Sequence, residues 1–249
     1  MAAVLIPLPD NDFDVTEVAV PWRLITNAGH RIVFATEKGG SRPYADPLLL
    51  TGVIFGALGA EKEPKEFYSQ MCEDDSFNNP VSWSKVRAEE FDGLLLPGGH
   101  APGMRQYLGN ASLHQFIADF WTTDRPVGAI CHGVLTLARA KSSEGVSVLH
   151  GRRTTCLPKY MEMLAYSLTF WKLGKYYRTY PEYVEDEVRN ALASPGDFCR
   201  GPVTLGKRGT RDDHSAAFVV EDGRYVSARW PGDAYLLSER FMVLLEGKP

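Results

Sequence analysis

Several things that would direct a reading of this 249-residue chain are missing from it. There is no clustered stripe of lysine and arginine, and 27 basic against 31 acidic residues leave a formal net charge of −4, so nothing marks a surface for nucleic acid or an anionic membrane. There is no low-complexity run. The longest apolar stretch, Leu48 to Ala60, is interrupted by three glycines and falls short of the ~18 residues a membrane span requires; it reads as a buried segment. The amino terminus, Met-Ala-Ala-Val-Leu-Ile-Pro, has neither a basic flank nor a long apolar core, so it reads as a first strand and not as a secretory signal, and a cytoplasmic protein is expected. Only four cysteines are present, Cys72, Cys131, Cys156 and Cys199, far apart and without a Cys-x-x-Cys pair. That spacing disfavours a zinc site or a dithiol couple, and in a reducing compartment the four are expected as free thiols. His30, His114, His150 and His214 show no ligand-like spacing either, so neither metal nor cofactor is expected.

What remains is the composition of an ordinary globular domain, 44% hydrophobic and 23% charged. Ala3 to Leu8 is a short apolar run; Val15, Val18, Trp22 and Ile25 then follow helical spacing to a stop at Gly29, and Arg31 to Thr36 is strand-like again. This opening βαβ unit predicts a parallel sheet. Residues 37–90 read as an excursion with a short helix near Glu61 to Cys72. The pattern resumes with a strand at Gly93 to Pro97, a helix from Asn110 with Leu113, Phe116, Ile117 and Phe120 on one face, and a strand at Val127 to Ile130 that turns directly into a helix at His132 to Ala140. Strand-like stretches follow near Val146 to Leu149 and Thr154 to Cys156. A second excursion, 158–213, is dense in aromatics and reads as a cap. Phe218 to Val220, Asp222-Gly223 and Tyr225 to Arg229 form a hairpin, and a helix carrying Leu237, Phe241, Leu244 and Leu245 closes a single domain over 1–249.

The chemistry centres on Ala129-Ile130-Cys131-His132-Gly133, where a cysteine sits at a strand-to-helix turn. Such an elbow lifts a side chain above the sheet. A helix amino terminus lowers a thiol pKa from its free value of about 8.5, so Cys131 is expected to be the most reactive of the four thiols, although a buried structural cysteine would give the same local pattern. Leu96-Pro97-Gly98-Gly99-His100 follows the preceding strand, and its amides could hold an oxyanion beside Cys131, or simply make a tight turn. In the first helix Glu17 stands three residues after Asp14, the spacing of a capping box. Tyr166, Phe170, Trp171, Tyr176, Tyr177, Tyr180 and Tyr183 could wall a substrate pocket, pack internally or form a subunit interface.

Through Leu-Pro-Gly-Gly-His, Ala-Ile-Cys-His-Gly and the first-helix glutamate, nearly the whole chain resembles the ThiJ/PfpI superfamily, relatives of the class I glutamine amidotransferases. The resemblance implies an α/β, flavodoxin-like, doubly wound and mostly parallel sheet with helices on both faces and an inserted helical cap. It places Glu17 near the Cys131 sulfur. Class I amidotransferases carry a late His-x-Glu that no histidine here matches, which disfavours glutamine hydrolysis. Cys131 followed by His132, with His100 after the glycines, is most similar to the heat-shock-chaperone, glyoxalase III-like branch. That branch adds an acid after the elbow; the position similar to it is Glu162, with Lys159 where some members carry aspartate, and a solvated surface carboxylate is the alternative reading. Implied are catalytic roles for Cys131, His132, Glu17 and Glu162, an oxyanion and substrate site at Gly98, Gly99 and His100, a small-molecule substrate, and a homodimer. The expected reaction converts a 2-oxoaldehyde to a 2-hydroxy acid. An amidase or peptidase, an isonitrile hydratase, and a noncatalytic stress chaperone or thiol oxidation sensor are the alternatives.

Overall fold

The structure is a computed structural model and describes residues 1–53, 58–204 and 206–247. Nine strands are formed among these residues: β1 Ala3–Pro7, β2 Asn11–Phe13, β3 Arg31–Thr36, β4 Tyr44–Ala45, β5 Val81–Ser82, β6 Gly93–Leu96, β7 Val127–Ile130, β8 Val219–Asp222 and β9 Tyr225–Ala228. The α-helices are α1 Val15–Asn27, α2 Pro47–Thr51, α3 Lys62–Met71, α4 Asp75–Asn78, α5 Met104–Leu108 and α6 Ala111–Trp121. After them come α7 Val134–Arg139, α8 Lys159–Leu173, α9 Val184–Ala191 and α10 Ala234–Glu246.

Seven strands make one sheet in the order β5-β3-β1-β6-β7-β9-β8, and β2 and β4 pair separately. Every neighbour in the large sheet is parallel except the β8–β9 hairpin. This is the flavodoxin-like α/β fold. Buried parallel strands need side chains that are apolar on both faces, and β6 (Gly-Leu-Leu-Leu) and β7 (Val-Gly-Ala-Ile) are buried at every position. From β1 the chain winds outward through β3 to β5, then returns to the other side of β1 and proceeds through β6, β7 and β9. The winding therefore reverses between β1 and β6, and the loops leaving those two strands diverge at the carboxyl edge, where open α/β sheets bind ligands.

Helix α1 begins at this edge. Asp14 caps it, its carboxylate accepting from the Thr16 and Glu17 N–H groups at 2.8 and 3.1 Å. Val15 through Trp22 are all buried. At the same carboxyl edge, after β9, Arg229 and Asp233 form a fully buried ion pair, Nε to Oδ2 at 2.9 Å, and Arg229 also donates to the Pro202 carbonyl at 2.7 Å. That arginine ties the second excursion to the end of β9.

Two expectations are corrected. Val146 to Leu149 and Thr154 to Cys156 are not strands; they contribute only the isolated bridges Lys141 to Ser147 and Thr154 to Phe198. Val146 to Leu149 folds back on the end of α7, Val148 N–H donating to the Ala140 carbonyl at 3.0 Å, and Thr154 to Cys156 finds β9 already flanked by β7 on one side and β8 on the other. Thr154 and Thr155 reach β9 through side chains instead, Thr154 Oγ1 to the Tyr225 hydroxyl at 2.8 Å and Thr155 N–H to Ser227 Oγ at 3.0 Å. The Leu48 to Ala60 stretch is only partly a buried segment where it is described: Val53 is buried and Leu49, Leu50 and Ala60 are half-buried against the core, but α2 buries no residue and Leu58 is exposed, while 54–57 lie outside the described residues. No helix among the described residues is long and apolar enough to cross a membrane.

Candidate active site

Three loops at the carboxyl edge supply the site: the start of α1 after β1, the Gly98–His100 turn after β6, and the elbow after β7. At the elbow Ile130 is still extended, and Cys131 then takes φ +58. A non-glycine residue in the left-handed region costs about 1–2 kcal/mol, and such strain is concentrated at functional positions. The next turn is a 3-10 turn over Cys131–Gly133, and α7 follows only from Val134. Gly133 is required by packing, since a Cβ there would stand 2.1 Å from the Leu96 carbonyl oxygen and 2.6 Å from that of Pro97. The elbow thus rests directly on the end of β6.

Gly98 joins the other two loops. Its N–H donates to Glu17 Oε2 at 2.7 Å, and its carbonyl accepts from the Asp14 N–H at 2.9 Å. A Cβ at Gly98 would fall 2.7 Å from the His132 nitrogen and 2.9 Å from Glu17 Oε2, so only glycine allows the approach. This decides between the two readings of Glu17. Asp14 caps α1, but Glu17 spends its bonded oxygen on Gly98 and not on its own helix, and its Oε1 is buried without a hydrogen-bond partner among the described residues. The same geometry corrects the oxyanion assignment for Gly98, whose amide is taken by Glu17.

Cys131 is fully buried, with Sγ 3.5 Å from His132 Nδ1. Burial pushes its thiol well above the ordinary value, and the negative charges of Glu17 and Asp14 add to this, while the His132 backbone N–H opposes it. Burial and the Asp14 charge likewise hold Glu17 well above the carboxylate range. The two groups form one unit, each disfavouring the other's charge. The expected low-pKa thiol is therefore corrected: burial next to two carboxyls outweighs a helix terminus of less than two turns. Whether the sulfur ionises depends on Glu17 keeping its proton, because a protonated carboxyl no longer repels the thiolate and can donate to it.

His132 is buried with Nε2 unpartnered among the described residues, and burial pushes its pKa well below the usual value, so the ring is neutral at pH 7. His100, lowered to about 4 by burial, packs edge-on against His132 at 4.8 Å between centroids and against Tyr177 at 5.6 Å. The ligand atoms of His100, Cys131 and His132 lie within 4.8 Å of one another, so the fold assembles from two loops a two-histidine, one-cysteine group able to hold a soft cation. Sequence spacing gave no sign of it.

Glu162 is buried on the first turn of α8, but it does not orient His132. Its carboxylate is engaged by Arg178 at 3.1 Å and by the Val184 N–H at 3.1 Å. Arg178, whose guanidinium lies 3.8 Å from the centroid of the Tyr183 ring, carried no signal in the sequence. Of the aromatic run, Tyr177 reaches the site; Phe170 and Trp171 are exposed, and Tyr180 stacks under Arg139. A cavity of about 220 Å³ lies beside His100, with Asp14, Thr16, Leu157, Met161 and Leu164 among the residues that line it.

A cysteine on a left-handed strand-to-helix turn, with an acid from the first helix bound to the neighbouring glycine loop, defines an elbow-cysteine protein of the doubly wound α/β class. Residues 8–191 match the family model described as ThiJ/PfpI family-like. The chain belongs to the ThiJ/PfpI family. It is 42% identical over 158 residues to protein/nucleic acid deglycase 2 of Escherichia coli, covering 63% of this chain and 72% of that protein. It is 25% identical over 239 residues to a deglycase of Pyrococcus abyssi, covering 96% and 97%. Among solved structures, glyoxalase III from Candida albicans superposes with a TM-score of 0.70 at 18% identity, over 98% of this chain and 97% of that one.

Proposed function

We propose that the protein is a cysteine enzyme acting on a small electrophilic carbonyl, converting a 2-oxoaldehyde to a 2-hydroxy acid. The observation that carries this reading is the Cys131 sulfur held at a left-handed elbow, 3.5 Å from the neutral ring of His132 and facing the Glu17 carboxyl. The neutral thiol gives its proton to His132 as sulfur adds to the aldehyde carbon, forming a hemithioacetal. Its oxygen takes that proton from His132, the hydrogen on that carbon leaves as a proton to a base at the site and returns to the adjacent keto carbon, and the hydroxyl proton passes to the former keto oxygen. The aldehyde carbon is thereby oxidised to a thioester and the ketone reduced to an alcohol, with no external oxidant. Water cleaves the thioester, releasing the 2-hydroxy acid and restoring the thiol. Glu17, protonated, donates to the sulfur whenever it carries charge.

Deglycation, the activity in the names of two relatives, is a second reading supported by those names. It needs the same thiol addition, at a carbonyl-derived carbon attached to an amine. Assaying the purified protein on free 2-oxoaldehydes and on preformed amine adducts with the free aldehyde trapped separates the two. Small amides and isonitriles complete the panel. Turnover confined to adducts would overturn the first reading in favour of the second, and turnover of neither, with Cys131→Ser inert throughout, would overturn both.

A further inference from the structure

We propose that the cavity beside His100 binds the side chain of a bulky apolar carbonyl substrate, an aryl or branched-alkyl 2-oxoaldehyde in preference to methylglyoxal; this rests on the thiol-addition reading given above. Size is the first argument. A methyl group leaves most of about 220 Å³ unused, whereas an apolar cavity of about 150 Å³ suffices to hold benzene. Wall chemistry is the second: Leu49, Leu157, Met161, Leu164 and Leu168 line the space. Arg208, which also lines it, is paired with Glu61 at 3.4 Å and stacks over Trp230, so its charge is already matched.

The third argument is independent of the walls. Thr16, Tyr177 and Trp230 all line this cavity, and each carries a buried polar atom with no partner among the described residues: Thr16 Oγ1, the Tyr177 hydroxyl and Trp230 Nε1. Buried polar groups are nearly always bonded, because leaving one unmade costs about 1–3 kcal/mol. All three can donate. A 2-oxoaldehyde presents two adjacent carbonyl oxygens that only accept, so an apolar body with a dicarbonyl head matches both the walls and the unpartnered donors. His100 links the cavity to the reactive residues, since it lines the cavity and packs on His132, the neighbour of Cys131. Cys131 itself has no exposed surface and does not line the cavity, so addition at its sulfur requires His100 or Tyr177, which stand at the cavity wall, to give way.

The test compares kcat/KM for phenylglyoxal and methylglyoxal in the native enzyme, in Ala165→Trp and Leu168→Asp, which fill or polarise the wall from positions open enough to tolerate change, and in Phe170→Ser, an exposed position on α8 that does not line the cavity. Phenylglyoxal is expected to be preferred by about tenfold or more, with the preference collapsing in the two wall variants and surviving in Phe170→Ser. Binding of acetophenone to Cys131→Ser, followed by calorimetry, reads the cavity without the reaction. It should weaken about tenfold when Ala165→Trp is added. Equal or better turnover of methylglyoxal overturns the proposal, and so does failure of acetophenone to bind. Acetophenone binding without turnover of any 2-oxoaldehyde leaves the apolar carbonyl site standing and overturns the reaction instead.

Discussion

Replacing Glu17 separates its two attachments, one to Gly98 and one to Cys131. Glu17→Gln keeps an acceptor for the Gly98 N–H, now 2.7 Å from Oε2, and keeps a donor for the sulfur, but it can no longer ionise. Glu17→Leu removes charge, acceptor and donor together. The Gly98 amide is buried, so leaving it unmade should cost about 1–3 kcal/mol. For a domain of this size each kcal/mol lowers the melting temperature by roughly 2–4 °C, so Glu17→Leu is expected to lose about 2–12 °C while Glu17→Gln stays near the native value. Neither variant has a carboxylate to repel the thiolate, so the two differ at the sulfur only by the donor. Cys131 alkylation, resolved from the other thiols by mass spectrometry across pH, should therefore show a lower midpoint in Glu17→Gln than in Glu17→Leu, and turnover should follow the same order. Superimposable thiol titrations in the two variants, with only the melting temperatures differing, would refute the reasoning and leave Glu17 a purely structural residue.

Other consequences are equally direct. Arg229→Ala strands the buried Asp233 carboxylate and should cost about 3–5 kcal/mol in denaturant unfolding; a loss under about 1 kcal/mol would mean that Asp233 simply takes up a proton. Gly133→Ala drives a Cβ to 2.1 Å from the Leu96 carbonyl, so a destabilisation of about 1–3 kcal/mol and displacement of the elbow are expected, read as lost turnover per folded molecule. Burial raises Asp46 to about 6 and Glu162 to about 7, from ordinary values of 3.8 and 4.5. A raised folded pKa favours the protonated folded state, so this contribution is complete below the ordinary values and is lost as pH rises through 6 to 7. Melting curves from pH 4 to 8 should show that decline, and Glu162→Gln should shrink it.

The sheet was legible because its central strands are short apolar runs bounded by turn residues, and Arg31–Thr36 and Val127–Ile130 form strands at the limits their sequence suggests. Thr154 to Cys156 has the same local character but misled, because strand formation also needs a free edge, and β8 had taken it. At the site, Cys131, His132, His100, Gly98 and Glu17 were all readable from motifs, since each sits at a fixed offset from a strand end. Glu17 remained ambiguous because a capping glutamate and a site glutamate occupy the same position after Asp14; only the Gly98 bond separates them. Glu162 misled for a different reason. Its partners, Arg178 and Val184, are fixed by how α8 and α9 dock, which no local pattern records. The thiol's pKa direction was misjudged because a turn-to-helix motif shows the terminus but not the burial, nor the two carboxyls folded against the sulfur.

The central claim is that Cys131 forms a bond to the substrate carbon, and Cys131→Ser tests it most directly. Sulfur and oxygen are close in size, so the variant should fold and melt near the native temperature. With phenylglyoxal and methylglyoxal as substrates, the native protein is expected to form the 2-hydroxy acids and, on rapid acid quenching, to show an acyl mass addition on the peptide containing Cys131. The serine variant should show neither. A serine variant that melts normally and still produces the 2-hydroxy acid at the native rate would contradict the claim.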